Sequence, residues 1–116
     1  MTLKVSFVIL TWNSVKNIES CFGSLPASVT CSFEVIVVDN GSRDGTVDAI
    51  KKNFPNVRLI QNSRNAGVAC ARNQGIRASC GQYVLILDDD TVVRPLAVQT
   101  LVRLLDDSTQ VGVCGP

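Results

Sequence analysis

The sequence predicts an α/β fold: a three-layer α/β/α, Rossmann-like domain on a mostly parallel sheet. Two observations predict it. Short apolar runs alternate with segments whose apolar residues recur every three or four positions, the patterns of buried strands and of one-sided helices. Each run also ends in turn-forming or acidic residues, and no linker or low-complexity tract interrupts the series. Strand and helix in alternation pack as parallel strands joined by right-handed crossovers, with helices on both faces.

The elements follow in order. Leu3 to Thr11 is nearly continuous apolar sequence broken by Lys4 and Ser6, as a strand covered on both faces requires. Asn13 or Ser14 is placed to cap a helix with Val15, Ile18, Phe22 and Leu25 on one face, and Pro26 is expected to stop it. Phe33 to Val38 is a second buried strand, with a turn at Asn40-Gly41-Ser42. Asp44 is a good N-cap for a helix bearing Val47, Ile50 and Phe54, which Pro55-Asn56 ends. Val57 to Ile60 is a short third strand. Asn65-Ala66-Gly67 opens a third helix with Ala69, Asn73, Ile76 and Cys80 on one side, and Gly81 is expected as its C-cap. Tyr83 to Leu87 is the fourth strand. Pro95 suits the first turn of a last helix with Ala97, Leu101 and Leu104 facing inward. Val111 to Cys114 reads as the opening of a further strand, so 1–116 is expected to be a single domain that continues beyond this chain.

Composition narrows the function classes. With 116 residues, 46% hydrophobic and 18% charged, the chain can build one sizeable core, which excludes disorder. A formal net charge of +1 gives no bulk attraction to nucleic acid or to a membrane surface, so anion binding would have to come from local geometry. No segment approaches the ~20 apolar residues of a membrane span. The five cysteines are widely spaced, form no CxxC pair and have no histidine beside them, which argues against zinc. They are expected to be reduced and mostly buried thiols of a cytoplasmic protein.

In an open parallel sheet, ligands bind outside the carboxyl ends of the strands. Strand one presents Thr11-Trp12-Asn13 there, strand two Asp39-Asn40-Gly41-Ser42, and strand four Asp88-Asp89-Asp90. Three successive carboxylates repel one another, and a divalent cation relieves that repulsion; magnesium or manganese is often held by one or two carboxylates plus substrate phosphates. A solvated acidic turn is the bland alternative, and the position on the ligand edge favours the cation. Asp39 has two readings, as a turn-former beside Asn40-Gly41 and as an acceptor for a base N–H or a ribose hydroxyl. Arg72 is either an exposed helix residue or a partner of the acidic cluster or the ligand.

Four segments carry a resemblance: Phe7-Val8-Ile9-Leu10-Thr11-Trp12-Asn13, Val37 to Thr46 (VVDNGSRDGT), Asn65 to Asn73 (NAGVACARN) and Leu87-Asp88-Asp89-Asp90. In this order and at these separations the chain resembles the family 2 glycosyltransferases with the GT-A fold. The resemblance implies an inverting transferase that moves a sugar from a nucleotide-diphosphate sugar, UDP- or dTDP-linked, to an acceptor hydroxyl on a carbohydrate or lipid-linked molecule. It implies that Thr11, Asn13 and Asp39 contact the nucleotide, with Asp39 on a uracil-type edge. Arg72 would lie beside the base, Asp88 at the ribose, and Asp90 on the Mg2+ or Mn2+ of the diphosphate; Asp89 receives no role. The acceptor base that such enzymes carry later in the chain has no candidate here, since Asp106 and Asp107 read as the end of a helix.

Rival assignments fare less well. There is no GxGxxG after the first strand for a dinucleotide, and no GxxxxGK for a P-loop. Asp88-x-Asp90-x-Val92 resembles the nucleophile motif of haloacid-dehalogenase-like phosphatases, but no lysine lies beyond Lys52 to complete that site. The remaining alternative is a module that binds a nucleotide or nucleotide sugar and transfers nothing.

Overall fold

A computed structural model of the chain describes residues 2–115. The strands are β1 (Val5–Thr11), β2 (Phe33–Asp39), β3 (Arg58–Gln61) and β4 (Tyr83–Asp88); the helices are α1 (Ile18–Ser28), α2 (Thr46–Asn53), α3 (Val68–Ala78) and α4 (Ala97–Asp107). The four strands form one parallel sheet in the order β3-β2-β1-β4. The predicted fold class therefore stands.

Alternation of side chains along β1 assigns the two faces. Val5, Phe7 and Ile9 point into the main core with Ile18, Phe22 and Leu25 of α1, Ile50 of α2, and Val98 and Val102 of α4. Phe7 meets Phe33 edge to face with ring centroids 5.6 Å apart, and Phe22 meets Phe54 in the same way at 5.1 Å. Val8 and Val38 point the other way, where α3 approaches closely: a Cβ on Gly75 would lie 2.3 Å from Val8 Cγ1. Helices α1 and α2 thus cover one face and α3 the other. That is what right-handed crossovers demand when the order runs outward from β1 to β3 and then returns to β4 on the far side of β1.

Several local expectations are corrected. Helix α1 starts at Ile18, after a turn in which Asn17 and Ile18 both donate to Ser14 O, and it runs through Pro26 to Ser28. Pro26 has no N–H to give the helical ladder, so α1 runs through it short of one hydrogen bond near its end. Asp44 caps α2 from one residue further out than expected, its Oδ1 accepting from Thr46 N while Gly45, with φ +91°, takes the cap position. The buried face of α3 is Ala71 and Gly75, whereas Ala69, Asn73, Ile76 and Cys80 lie on the exposed side. Small residues face the sheet because the helix comes so near.

Gly81 is not a helix cap. Ser79 ends α3, and Gly81 is required by close approach, since a Cβ would lie 2.6 Å from both Ser6 N and Ser6 Oγ. Pro95 and Leu96 form a turn before α4, whose buried residues are Val98 and Val102; Leu104 is exposed. Residues 111–115 form no strand. On β4, Val84 and Ile86 are 39% and 42% exposed, because α3 lies over β1 and β2 and leaves that strand's outer face open. Of the five cysteines only Cys21 is buried; none is paired, and Cys70 and Cys80 are exposed.

Candidate functional site at the carboxyl rim

The strand order reverses between β1 and β4, and ligands of open α/β sheets bind in the crevice at such a switch point. In register, Thr11 is opposite Asp39, and Leu10 is opposite Asp88. At strand spacings of ~4.8 Å, the backbones of Asp39 and Asp88 are about 10 Å apart on one rim with β1 between them. The sheet therefore brings the acidic ends of β2 and β4 together, as the sequence pattern implied.

On the β4 side, Arg72 Nη2 reaches across to Asp88 Oδ1 at 3.3 Å. Of the two readings open for this arginine, contact with the acidic cluster is the one realised. Asp89 Oδ2 accepts from Trp12 N at 3.4 Å, so the residue that had no expected role joins the β1 loop to the acidic turn. Asp90 is exposed and takes no part in the side-chain hydrogen bonds or ion pairs of the described residues. Behind this turn, Cys21 Sγ lies 3.7 Å from Asp88 O. Cys21 is fully buried, and burial pushes its thiol up to about 11, with the Asp89 and Asp90 carboxylates adding to the shift, which favours the neutral thiol.

Among the described residues no group of three His, Cys, Asp or Glu side chains converges as a ready-made metal cage. The donor set nonetheless suits magnesium or manganese, which take one or two carboxylates and complete their shell with water and substrate phosphate oxygens. Asp90 is the carboxylate of the triplet without a side-chain partner among the described residues, whereas Asp88 and Asp89 each engage one oxygen.

The β2 side is more tightly built. Asp39 is 2% exposed, and its carboxylate accepts from Gly41 N, Ser42 N and Ser42 Oγ, at 3.1, 2.9 and 2.5 Å. Its turn-forming role is thus realised, and it also lines a polar cleft of about 330 Å3 with Ser42, Arg43, Gln61 and Asn62. Thr11 is fully buried with Oγ1 unpartnered among the described residues, while its carbonyl accepts from Asn40 N. What projects from the end of β1 is Trp12, 54% exposed.

Asn13 holds a left-handed backbone (φ 48°), which asparagine tolerates, and it ties two loops together. Its N–H donates to Ser42 Oγ and its Oδ1 accepts from Arg43 N. Two parallel links, Ser14 N to Thr46 Oγ1 and Val15 N to Asp44 Oδ2, complete the seam. The run from Asp39 to Thr46 is therefore largely a scaffold for the loop after β1. Asn40, which received no expected role beyond the turn, is 2% exposed and bonded to the loop before α3. An asparagine directly after the end of an apolar strand was the available signal, but a turn explained it equally well.

Residues 6–116 match the family model described as glycosyl transferase family 2. The chain belongs to glycosyl transferase family 2. This family 2 chain is 35% identical to an uncharacterized glycosyltransferase of Escherichia coli K12, YibD, over 97% of its own length and 34% of that protein's. It superposes on Staphylococcus aureus TarS (residues 1–349) in complex with UDP-GlcNAc with a TM-score of 0.80, at 27% identity, covering 97% of this chain and 37% of that one. The mannosyltransferase PcManGT of Pyrobaculum calidifontis, in complex with GDP-Man and Mn2+, gives a TM-score of 0.73 at 26% identity, covering 88% of this chain and 31% of that one. The family 2 chain thus spans about a third of the length of the proteins it matches. Among the described residues no helix is long and apolar enough to cross a membrane.

Proposed function

We propose that this chain is the donor- and metal-binding part of an inverting glycosyltransferase, which moves a hexosyl or related sugar from a nucleotide-diphosphate sugar to an acceptor hydroxyl. The observation that carries the proposal is the single rim on which β2, β1 and β4 end in Asp39, Thr11 and Asp88, at the strand-order reversal of a family 2 domain. The donor is proposed to be UDP- or dTDP-linked, and the UDP-GlcNAc complex of the TarS neighbour supports a uridine nucleotide.

The parts are assigned as follows. The Asp39 side of the rim receives the base, with Thr11 and Asn13 setting the loop that walls it. Arg72 lies beside the nucleotide, and its guanidinium offers planar donors to the base or a phosphate. Asp88 accepts from the ribose, and it can do so while keeping Arg72, which engages its Oδ1 alone. Asp90 would hold Mg2+ or Mn2+; when bound, the ion neutralises charge developing on the leaving diphosphate. No residue of 1–116 is proposed as the acceptor base. Asp106 is bonded to Lys4 and Tyr83 at the amino ends of the strands, away from the rim. The free thiols are in keeping with a reducing, cytoplasmic setting.

Calorimetric titration with UDP-GlcNAc and UDP in manganese, followed by assay of labelled sugar transfer, tests this reading. Micromolar to millimolar binding without transfer by the 116-residue chain is the expected result. Absence of binding by any nucleotide sugar would remove the proposal, and transfer by this chain alone would remove its claim of an acceptor half elsewhere.

A further inference from the structure

Asn40 stands out from the rim residues because it is polar, 2% exposed and fully engaged. Its Nδ2 donates to Asn65 Oδ1 and to Gly67 O, both at 3.2 Å. Its Oδ1 accepts from Asn62 Nδ2 and Ala66 N, both at 3.1 Å. An amide has two donor hydrogens and two acceptor lone pairs, so all four are used inside the protein and none is left for a ligand. A buried amide satisfied in this way is directional in a manner that apolar packing is not.

The partners of Asn40 bracket Arg72. Gly67 is the residue before α3, and Ala71 N donates to Gly67 O, so the clamp grips the start of the helix five residues before Arg72. On the other side, Asn62 also exchanges two hydrogen bonds with Gln74, at 2.7 and 2.8 Å, two residues after Arg72. The apolar contacts of Ala71 and Gly75 set how near α3 lies to the sheet, and such contacts are non-directional. A shift of the helix by one residue would rotate Arg72 by about 100° and move it by ~1.5 Å. The amide network fixes that degree of freedom.

We infer that Asn40 is a positioning residue for donor recognition: its carboxamide clamps the 62–67 loop to the end of β2, so that α3 presents Arg72 to Asp88 and to the nucleotide beside them. The inference rests on the donor-binding reading above. Asn40 acts through Arg72 and touches no ligand itself.

A double-mutant cycle on UDP affinity tests it, with wild type, Asn40→Ala, Arg72→Ala and the double variant measured by calorimetry in manganese. Asn40→Ala is expected to weaken UDP by about tenfold when Arg72 is present and by less than about twofold when it is absent, because coupled residues are non-additive and small displacements are costly. Equal losses in both backgrounds would make Asn40 a merely structural residue and overturn the inference. If Asn40→Ala does not fold, Gln74→Ala enters the same cycle, and equal losses there overturn the inference as well. Native-state hydrogen exchange without ligand separates this claim from the donor reading. Exchange in residues 65–74 should quicken by about tenfold in Asn40→Ala with β1 and β2 unchanged. Unchanged exchange in 65–74 overturns the clamp, whereas a wild type that ignores UDP overturns the donor reading and leaves the exchange result to decide the clamp.

Discussion

Arg72 of α3 and Asp88 of β4 are joined by an ion pair at 3.3 Å across the reversal point of the sheet, with side chains 40% and 68% exposed. Such a pair is solvent-screened and stabilises the fold by at most ~1 kcal/mol. Its presence at the rim therefore reads as preparation of a site more than as a structural staple. Arg72→Ala should leave the urea midpoint nearly unchanged and weaken UDP by about tenfold, the usual scale for a lost charged contact. A large stability loss with unaltered UDP affinity would assign Arg72 to the fold instead.

Asp90 supplies a second contrast. Asp90→Asn keeps the size of the side chain and removes the charge that a divalent ion needs. In manganese, UDP binding should fall by about tenfold or more, and with metal chelated the variant and wild type should bind alike. Equal weakening under both conditions would exclude Asp90 as the metal ligand.

Gly81 tests the packing at the other end of the sheet. The Cβ of an alanine there would press on Ser6 backbone, and the bond from Gly81 N to Ser6 Oγ, 2.8 Å, would be strained with it. Gly81→Ala should destabilise the chain by ~2–3 kcal/mol in urea unfolding, as overpacking does. A loss below about 0.5 kcal/mol would show that the approach relaxes easily.

The order of elements and the rim were legible because they depend on patterns local to each segment. Four apolar runs ending in Thr11, Asp39, Gln61 and Asp88 translate directly into four parallel strands whose polar ends share an edge. What escaped was set by contacts between segments. Helix α3 buries Ala71 and Gly75 because Val8 and Val38 stand beneath it, a fact absent from the helix's own periodicity. Gly81 follows Cys80 at a helix end and so resembles a cap, until Ser6 is seen beside it. Asp39, Asn13 and Asn40 were recognisable as special, yet a turn-former, a cross-link and a ligand contact demand the same short polar side chain. Only the hydrogen-bond partners separate those roles.

The single tyrosine offers a clean titration. Tyr83 OH donates to Asp106 Oδ1 at 2.6 Å, and that hydrogen bond, with desolvation and the Asp106 charge, pushes the phenol up to about 12. Asp106 in turn is held below its ordinary value by its bond to Lys4 and by the Tyr83 hydroxyl. Tyrosinate absorbance should therefore titrate near 12 in the folded wild type and fall back toward about 10 in Asp106→Ala. Both shifts link stability to pH. The raised Tyr83 value stabilises the fold below the unfolded tyrosine range, a contribution lost as pH climbs through the folded value. The depressed Asp106 value stabilises it above the unfolded aspartate range of about 4, a contribution lost as pH falls through the folded value. Identical tyrosine titrations in the two proteins would contradict this clamp.

The central claim is that one rim grips a nucleoside diphosphate together with a divalent ion. Thermal unfolding with UDP, dTDP and GDP, each with and without manganese, tests it most directly, because a ligand specific to the folded state raises apparent stability. At about one hundred times its Kd, UDP with manganese should add ~2.7 kcal/mol, roughly 10 °C for a chain of this size, and the rise should shrink when metal is withheld. A melting temperature indifferent to all three nucleotides in manganese would contradict the account.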